Sequence, residues 1–266
     1  MNREAQLRTE ILYYPFMGTP VDTERLVLLS KICYSPLGVD DLQELLTGES
    51  VEPTETGRFI RGLIKSGHLG TLEHWYTTFA VEGYSRISSQ QNDRHRLIKV
   101  LKEAGVAVWV SDGEQGSPDT SQLQQSQRYV AETDFRYVVP PSIRERPELY
   151  QRYLRQLAEL QEFQRDARVA GVPAEDARFL LPNAVETRFV VTTNARQLRH
   201  MFNLRCCDRA QWEIRALFCD LLEKYQAIAP NLFWRAGASC VELGFCPEGS
   251  MSCGKAPTLS QLRKGL

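Results

Sequence analysis

Tyr76-Thr77-Thr78-Phe79-Ala80-Val81-Glu82-Gly83-Tyr84, followed at once by Ser85-Arg86-Ile87-Ser88-Ser89-Gln90-Gln91-Asn92-Asp93-Arg94-His95-Arg96, is the stretch that decides the fold class. Its first half is rich in aromatic, Thr and Val residues and reads as a strand. Ser85 then opens a helix that carries Gln91 and Arg94 on one side, because residues three apart share a helical face. Downstream, Glu186 to Thr193 is again β-rich, through Phe189, Val190, Val191, Thr192 and Thr193, and two helices follow, Ala195 to Leu204 and Ala210 to Ile228.

The remaining chain fits an α/β domain. Ile11 to Tyr14 reads as a short strand ending at Pro15, and Thr23 is placed to cap a helix with Leu26, Leu29 and Ile32 on its apolar face, closing near Pro36. Short helices are expected over Asp40–Leu46 and Thr56–Lys65, the second ended by Gly67. Leu97 to Ala104 looks helical, Val106 to Val110 looks like a buried strand, and Ser111 to Thr120 is a Gly/Ser/Pro/Asp-rich loop. Glu148 to Val169 is a long helix with Leu149, Tyr153, Leu157, Leu160 and Phe163 as its stripe, and Pro173 starts another helix leading to Leu181-Pro182. No internal repeat or low-complexity linker divides residues 1–266, so a single domain is expected.

The bulk numbers exclude some classes. With 266 residues, 42% hydrophobic and 24% charged, the chain has ordinary globular composition and can bury a sizeable core. A net charge of −1 argues against coating nucleic acid or a membrane surface, so neither partner is expected. Any anion site must be a local cluster of arginines, of which there are 25 against 7 lysines. Met1 to Glu10 is polar with no apolar h-region behind it, and no apolar run reaches transmembrane length, so the expected location is cytoplasmic. Without a secretory signal the seven cysteines read as thiols or metal ligands rather than disulfides. Cys240, Cys246 and Cys253 with one of Cys206-Cys207 supply the four sulfurs a structural zinc takes, yet no C-x-x-C knuckle is present, and buried free thiols are the plainer reading; no metal ligand is assigned.

Cations and amides cluster at both ends of the segment from Gln91 to Tyr129. Arg94-His95-Arg96 stands at one end and Gln124-Gln125-Ser126-Gln127-Arg128-Tyr129 at the other. Such a set suits a ligand with phosphates and hydrogen-bonding edges, since Arg offers phosphate two parallel donors. An isolated Arg-His-Arg is more often a solvated face. The helix after Asn194 carries Arg196 and His200 on one face, with Arg199 on another azimuth and Arg205 just past the end. Arg178 is a further candidate anion contact, and His74 sits between Glu73 and Trp75, where a neighbouring carboxylate would ordinarily satisfy it. Ser126 lacks a nearby base and is a poor nucleophile. Neither G-x-G-x-x-G nor a Walker A loop occurs, so a nucleotide or flavin is held in some other way.

Taken jointly, these blocks resemble the flavin-dependent thymidylate synthase family. The match runs through Leu72-Glu73-His74, Ser85-Arg86, Gln91, Arg94-His95-Arg96, Gln125-Ser126-Gln127-Arg128-Tyr129, Leu181-Pro182, Asn194-Ala195-Arg196, Leu204-Arg205 and Ala210-Gln211-Trp212-Glu213-Ile214-Arg215, in the family's order from about Ile11 to Ala256. The resemblance implies a homotetramer built on a central, mostly antiparallel sheet flanked by helices (an α+β arrangement), with FAD at subunit interfaces. It implies flavin contacts from Arg94, His95, Arg96, Asn194, Arg196 and His200, and a place for His74 where folate or nicotinamide stacks on the flavin. Contacts to a uridine nucleotide would come from Gln91, Arg94, Gln124, Ser126, Gln127, Arg128, Arg178 and Arg205. The implied reaction installs a methyl group on C5 of dUMP, with NADPH as reductant and methylenetetrahydrofolate as one-carbon donor. Arg205 is the expected catalytic residue, a fixed cation stabilising charge that develops on the pyrimidine.

One departure bears on substrate. Residues 97–125 put 29 positions between Arg96 and Ser126, where the family pattern has seven. This insertion, centred on about 97–120, either bulges outward or reshapes the nucleotide site, and relatives that methylate UMP in nucleoside-antibiotic biosynthesis make that ribonucleotide the alternative substrate. A flavin- and nucleotide-binding paralogue without catalysis is the alternative from another class. The remaining distinct feature is the Cys-containing C-terminal segment, 237–266.

Overall fold

The computed structural model describes residues 3–19, 21–48, 53–92, 99–103, 106–110, 120–258 and 261. Strand β1 (Arg8–Tyr13) leads into a 3-10 helix (Thr23–Cys33), then helices α1 (Val39–Thr47) and α2 (Pro53–Lys65) and a second 3-10 segment (Leu69–His74). Strand β2 (Tyr76–Ser85) runs directly into α3 (Arg86–Asn92), followed by β3 (Lys99–Glu103), β4 (Val106–Val110) and β5 (Thr120–Gln124). After α4 (Pro141–Arg144), the long α5 (Pro147–Val169), α6 (Ala174–Ala177) and a 3-10 turn (Arg178–Leu180), strand β6 (Glu186–Asn194) passes into α7 (Ala195–Arg205). Helices α8 (Trp212–Ile228) and α9 (Ser239–Leu243) complete the order.

Four strands form one antiparallel sheet in the order β1-β2-β6-β5, flanked by helices, and β3 and β4 form a separate antiparallel ladder in which Lys99 faces Val110 and Glu103 faces Val106. The mixed helix-and-sheet class and the antiparallel sheet agree with the sequence reading. By contact density the chain divides into two compact units. Unit 1 comprises Met1–Glu10, Ala80–Arg94 and Gln122–Val190, and unit 2 comprises Ile11–Phe79, His95–Ser121 and Val191–Leu266.

Unit 1 is organised around Phe135, Tyr137, Val139, Leu157 and Val185, with Tyr153, Leu154 and Leu160 of α5 packed against them. The expected α5 stripe is only half right. Leu149 and Phe163 are exposed, and the helix instead buries Gln161 and Gln164, whose amides donate to the carbonyls of Phe135 (2.7 Å) and Ala177 (2.8 Å). Those carbonyls need partners away from water, so amides displace apolar residues from the inner face. Gly83 has φ +73°, and a Cβ there would stand 1.7 Å from the Gln6 carbonyl oxygen, so the two backbones approach as only glycine permits.

Unit 2 is aromatic at its centre. Trp75 meets Tyr225 and Phe233 edge-on at 6.1 and 5.8 Å, and Phe202 meets Phe218 and Phe233 at 6.2 and 5.9 Å. Their polar handles are satisfied: Trp75 Nε1 donates to Thr23 Oγ1 at 2.9 Å, and the Tyr225 hydroxyl pairs with Thr77 Oγ1 at 2.8 Å. Thr23 is therefore not the cap of its helix. Asp22 is, its carboxylate accepting from the Glu24 amide at 2.9 Å. The buried residues of this 3-10 segment are Thr23, Glu24, Val27 and Leu28, while Ile32 is exposed, which corrects the expected Leu26/Leu29/Ile32 face. Glu24 is buried and accepts from the amides of Asn231 (2.7 Å) and Leu232 (2.8 Å) and from Asn231 Nδ2 (2.6 Å).

Two further corrections concern the insertion. The helix expected over Leu97–Ala104 is a strand across Lys99–Glu103, and Thr120, read as the end of a loop, begins β5; residues 111–119 of that loop lie outside the described residues. Among the described residues no helix is long and apolar enough to cross a membrane.

Candidate functional site

Unit 1 holds the described residues expected at the nucleotide, apart from Arg205; Arg94, and with it His95 and Arg96, lies outside the described residues. Ser85 Oγ accepts from the Ser88 amide at 3.3 Å, so the serine opens α3 as expected and Gln91 falls in its last turn. Gln124, at the end of β5, directs its amide nitrogen to Ser89 Oγ (2.7 Å) on α3 and to Thr187 Oγ1 (3.0 Å) on β6, which fixes the start of the next loop. The Gln125 amide continues the ladder to Arg188 O at 2.9 Å, and the chain then turns, with Ser126 Oγ accepting from the Arg128 amide at 3.2 Å. Arg128 is spoken for: its Nε and NH2 both reach Glu175 Oε2, at 3.1 and 3.0 Å, and its guanidinium lies 5.6 Å from the exposed Tyr129 ring. Arg178 Nε donates to Glu175 O at 3.1 Å, so one acidic residue organises both arginines. Gln127 and Arg178 meet in a cleft with Val130, Glu132, Arg168 and Leu181. Its interior space is about 10 Å³, room for about one water and far below the ~300–1,000 Å³ usual for a ligand pocket. Burial, together with Glu186, pushes the Glu132 carboxyl up, against the pull of Arg188.

Unit 2 holds Arg205 and the described residues expected at the flavin. Asn194 is fully buried and caps α7, its Oδ1 accepting from the Gln197 amide at 2.9 Å. The Ala195 amide donates to Trp75 O at 2.8 Å, and Arg196 pairs with Glu73. His74 is exposed, and the carboxylate of the adjacent Glu73 pairs with Arg196. His200 lies one turn beyond Arg196, and burial first, then the Arg205 charge, hold its pKa below the ordinary 6.5. Arg205 is the last residue of α7 rather than a residue past its end, so its cation sits where the helix dipole favours it. The buried Arg199 is structural: NH1 donates to Leu232 O (2.8 Å) and Trp234 O (3.1 Å), and NH2 meets Glu242 Oε1 at 2.5 Å.

A family model described as thymidylate synthase complementing protein matches residues 18–231. The chain belongs to this family. Among the thymidylate synthase complementing proteins it is similar to one from Geobacter sulfurreducens, named flavin-dependent thymidylate synthase, with 39% identity over 249 residues, 92% of this chain and 94% of the relative. Relatives bearing the same name from Clostridium tetani (35% over 266 residues, 92% and 93%) and Nitratidesulfovibrio vulgaris (36% over 259 residues, 94% and 97%) align over nearly their whole length too.

Within this family member, sequence reasoning missed residues whose signal is tertiary. Glu175 lies 47 positions from Arg128, and nothing local marks it as an arginine anchor. Glu186 is nearly buried and accepts from the Gly83 amide at 2.9 Å while facing Arg136 (3.3 Å) and Arg188 (3.5 Å), an arrangement assembled from three separate segments. In unit 2 an open groove beside α2, lined by Tyr34, Arg58, Phe59, Leu63 and His68, contains no residue singled out from the sequence.

Proposed function

We propose that the chain methylates C5 of uracil in dUMP, giving dTMP, as a flavin-dependent thymidylate synthase with FAD as cofactor, acting as one flavin-dependent thymidylate synthase-like domain within a homotetramer. The observation that carries this reading is 35–39% identity, over nearly the full length, to proteins named for that activity. Methylenetetrahydrofolate as carbon donor and NADPH as reductant come with the family resemblance; the cytoplasmic setting is the expectation drawn from the sequence's polarity.

The donor set of α7 fits a flavin. Arg196 offers a guanidinium to phosphate oxygens, and His200, held below its ordinary pKa, stays neutral at pH 7 and offers one donor and one acceptor. With His74, Arg94, His95, Arg96 and Asn194 these residues would hold the cofactor. When bound, the flavin supplies hydride chemistry that no side chain can provide. Gln91, Arg94, Gln124, Ser126, Gln127, Arg128 and Arg178 would hold the nucleotide, the arginines at its phosphate or ribose side. Arg128 must then exchange Glu175 for the ligand, or share it.

Arg205 is the catalytic residue in this reading. C5 becomes nucleophilic when negative charge gathers on the pyrimidine oxygens or N3, and a fixed cation held out of bulk water stabilises that charge most as it develops. The carbon accepted by C5 is reduced to a methyl group as C5 gives up its proton, and no cysteine nucleophile is needed.

UMP is the second reading, favoured by the 29 residues between Arg96 and Ser126 and by the β3–β4 ladder they contain. A competition between dUMP and UMP, read by product mass with methylenetetrahydrofolate and NADPH supplied, decides. Methylated dUMP is expected; a strong preference for UMP overturns the first choice, and bound flavin with no methylated product supports the inactive paralogue.

A further inference from the structure

Four thiols of unit 2 take no part in the proposed reaction, and each is free. Two ties join the loop after α7 to the C-terminal segment: Asp208 pairs with Lys255, and the Arg209 guanidinium donates to Met251 O. Cys207 immediately precedes Asp208, and Cys253 lies midway between Met251 and Lys255, so both thiols ride on the joined segments. Helix α9, with Cys240 in its first turn, is anchored to α7 by Ser239 Oγ, which donates to Asn203 O at 3.2 Å. The Cys246 amide donates to Pro257 O at 2.7 Å, and Cys246 bridges to Thr258, which holds it beside the strand of chain that follows Cys253. Cys206 is committed elsewhere, hydrogen-bonded to Cys219 of α8. The structure thus distinguishes the adjacent cysteines, which spacing alone does not.

We propose that Cys207, Cys240, Cys246 and Cys253 form a tetrathiolate site for a soft divalent cation, zinc in the first instance. Four sulfurs from four separate places in the chain meet the ligand number and type of a closed structural site, and thiolates select soft ions. The thiols also feel one another: after burial, the charges of Cys246, Cys207 and Cys253 push the Cys240 thiol up. Four neighbouring thiolates repel until a cation joins them; each thiol that ligates releases its proton to solvent, so affinity falls as pH falls. Among the described residues, these four thiols included, no group of three ligating side chains is placed to hold a metal ion as it stands, so the site forms only as binding draws the thiols together, local ordering and metal binding being one event. The ion would clamp the C-terminal segment to the end of α7, two residues from Arg205.

The test uses the full chain. The purified protein is supplied with zinc, freed of excess and assayed for metal by mass spectrometry; cobalt is then exchanged in and the absorption spectrum recorded. One ion per chain is expected, with intense thiolate-to-cobalt charge transfer and the visible bands of a tetrahedral ion. The double variant Cys246→Ser/Cys253→Ser should lose the ion, while Cys219→Ser, outside the set, retains it. Metal no higher than in the double variant, or a cobalt spectrum without thiolate charge transfer, overturns the proposal. The wild-type spectrum decides even if the variant misfolds, and flavin content and methylation, read separately, leave the proposed reaction independent of the outcome.

Discussion

The two compact units hold their expected site residues in opposite ways. In unit 1 those residues lie on turns and short segments: Arg128 pairs with the Glu175 carboxylate, and Arg178 donates to the Glu175 main-chain carbonyl. In unit 2 all but His74 lie on one regular helix, α7, or at its cap; Phe202 of that helix packs against Phe218 and Phe233, and Asn194 locks its first turn. Arg128 is held by a half-exposed ion pair that water and ligands can replace, whereas Arg196, His200 and Arg205 are set by the geometry of one helix, Arg196 also pairing with Glu73. Anion binding in unit 1 is an exchange of partners. In unit 2 Arg196 likewise exchanges Glu73, but His200 and Arg205 meet a ligand from positions fixed by the helix, the preorganisation that charge stabilisation in a transition state requires.

The contrast can be broken first at the aromatic centre. Trp75→Ala should cost about 3–5 kcal/mol in a urea or guanidinium unfolding series, whereas Phe163→Ala, on the exposed side of α5, should cost well under ~1 kcal/mol. Equal losses would mean that unit 2 is no better packed than the surface of unit 1. Next in size is Arg205→Ala, expected to lower turnover about 10²–10³-fold with flavin content retained. Unchanged turnover would remove Arg205 from the chemistry and leave it as an α7 terminal charge.

A smaller effect concerns pH. The folded pKa of His200 is lowered, so between that value and about 6.5 the unfolded chain binds more protons than the folded one. Stability therefore rises with pH through this window and is lost as acid is added below about 6.5. His200→Gln should flatten that slope in unfolding midpoints measured from pH 5 to 7; an unaltered slope would show that the imidazole is not shielded as described. Smallest is Glu175→Ala. An exposed ion pair contributes about 0–1 kcal/mol, so the unfolding midpoint should barely move, while nucleotide affinity, read by titration calorimetry, should change with the release of Arg128. A large stability loss with unaltered affinity would make the pair a structural strut.

The parts legible in the sequence are those in which local pattern and tertiary demand agree. Strands β2 and β6 announced themselves by β-branched and aromatic residues, and α5 by its length and periodicity. Where the two disagree, the reading failed. Residues 97–104 contain good helix formers, yet pairing with Val106–Val110, a partner that propensity cannot see, makes a strand of 99–103. Thr23 is the expected cap, but Asp22 takes that role while the threonine hydroxyl accepts from Trp75 Nε1, a demand no local pattern reveals. In the site, motif order located α7, but not the roles of Glu73 and Glu175, because ion pairs 123 and 47 residues apart leave no local trace.

The backbone contact between Gly83 and Gln6 has a consequence for anyone randomising this protein. A saturation library at codon 83, sorted for folded product, should return a single letter of the alphabet, while codon 82 next door, whose side chain lies at the surface, should return many. The most conspicuous strand in the sequence thus contains one position with no diversity to offer, and directed evolution of this scaffold should start by leaving it alone.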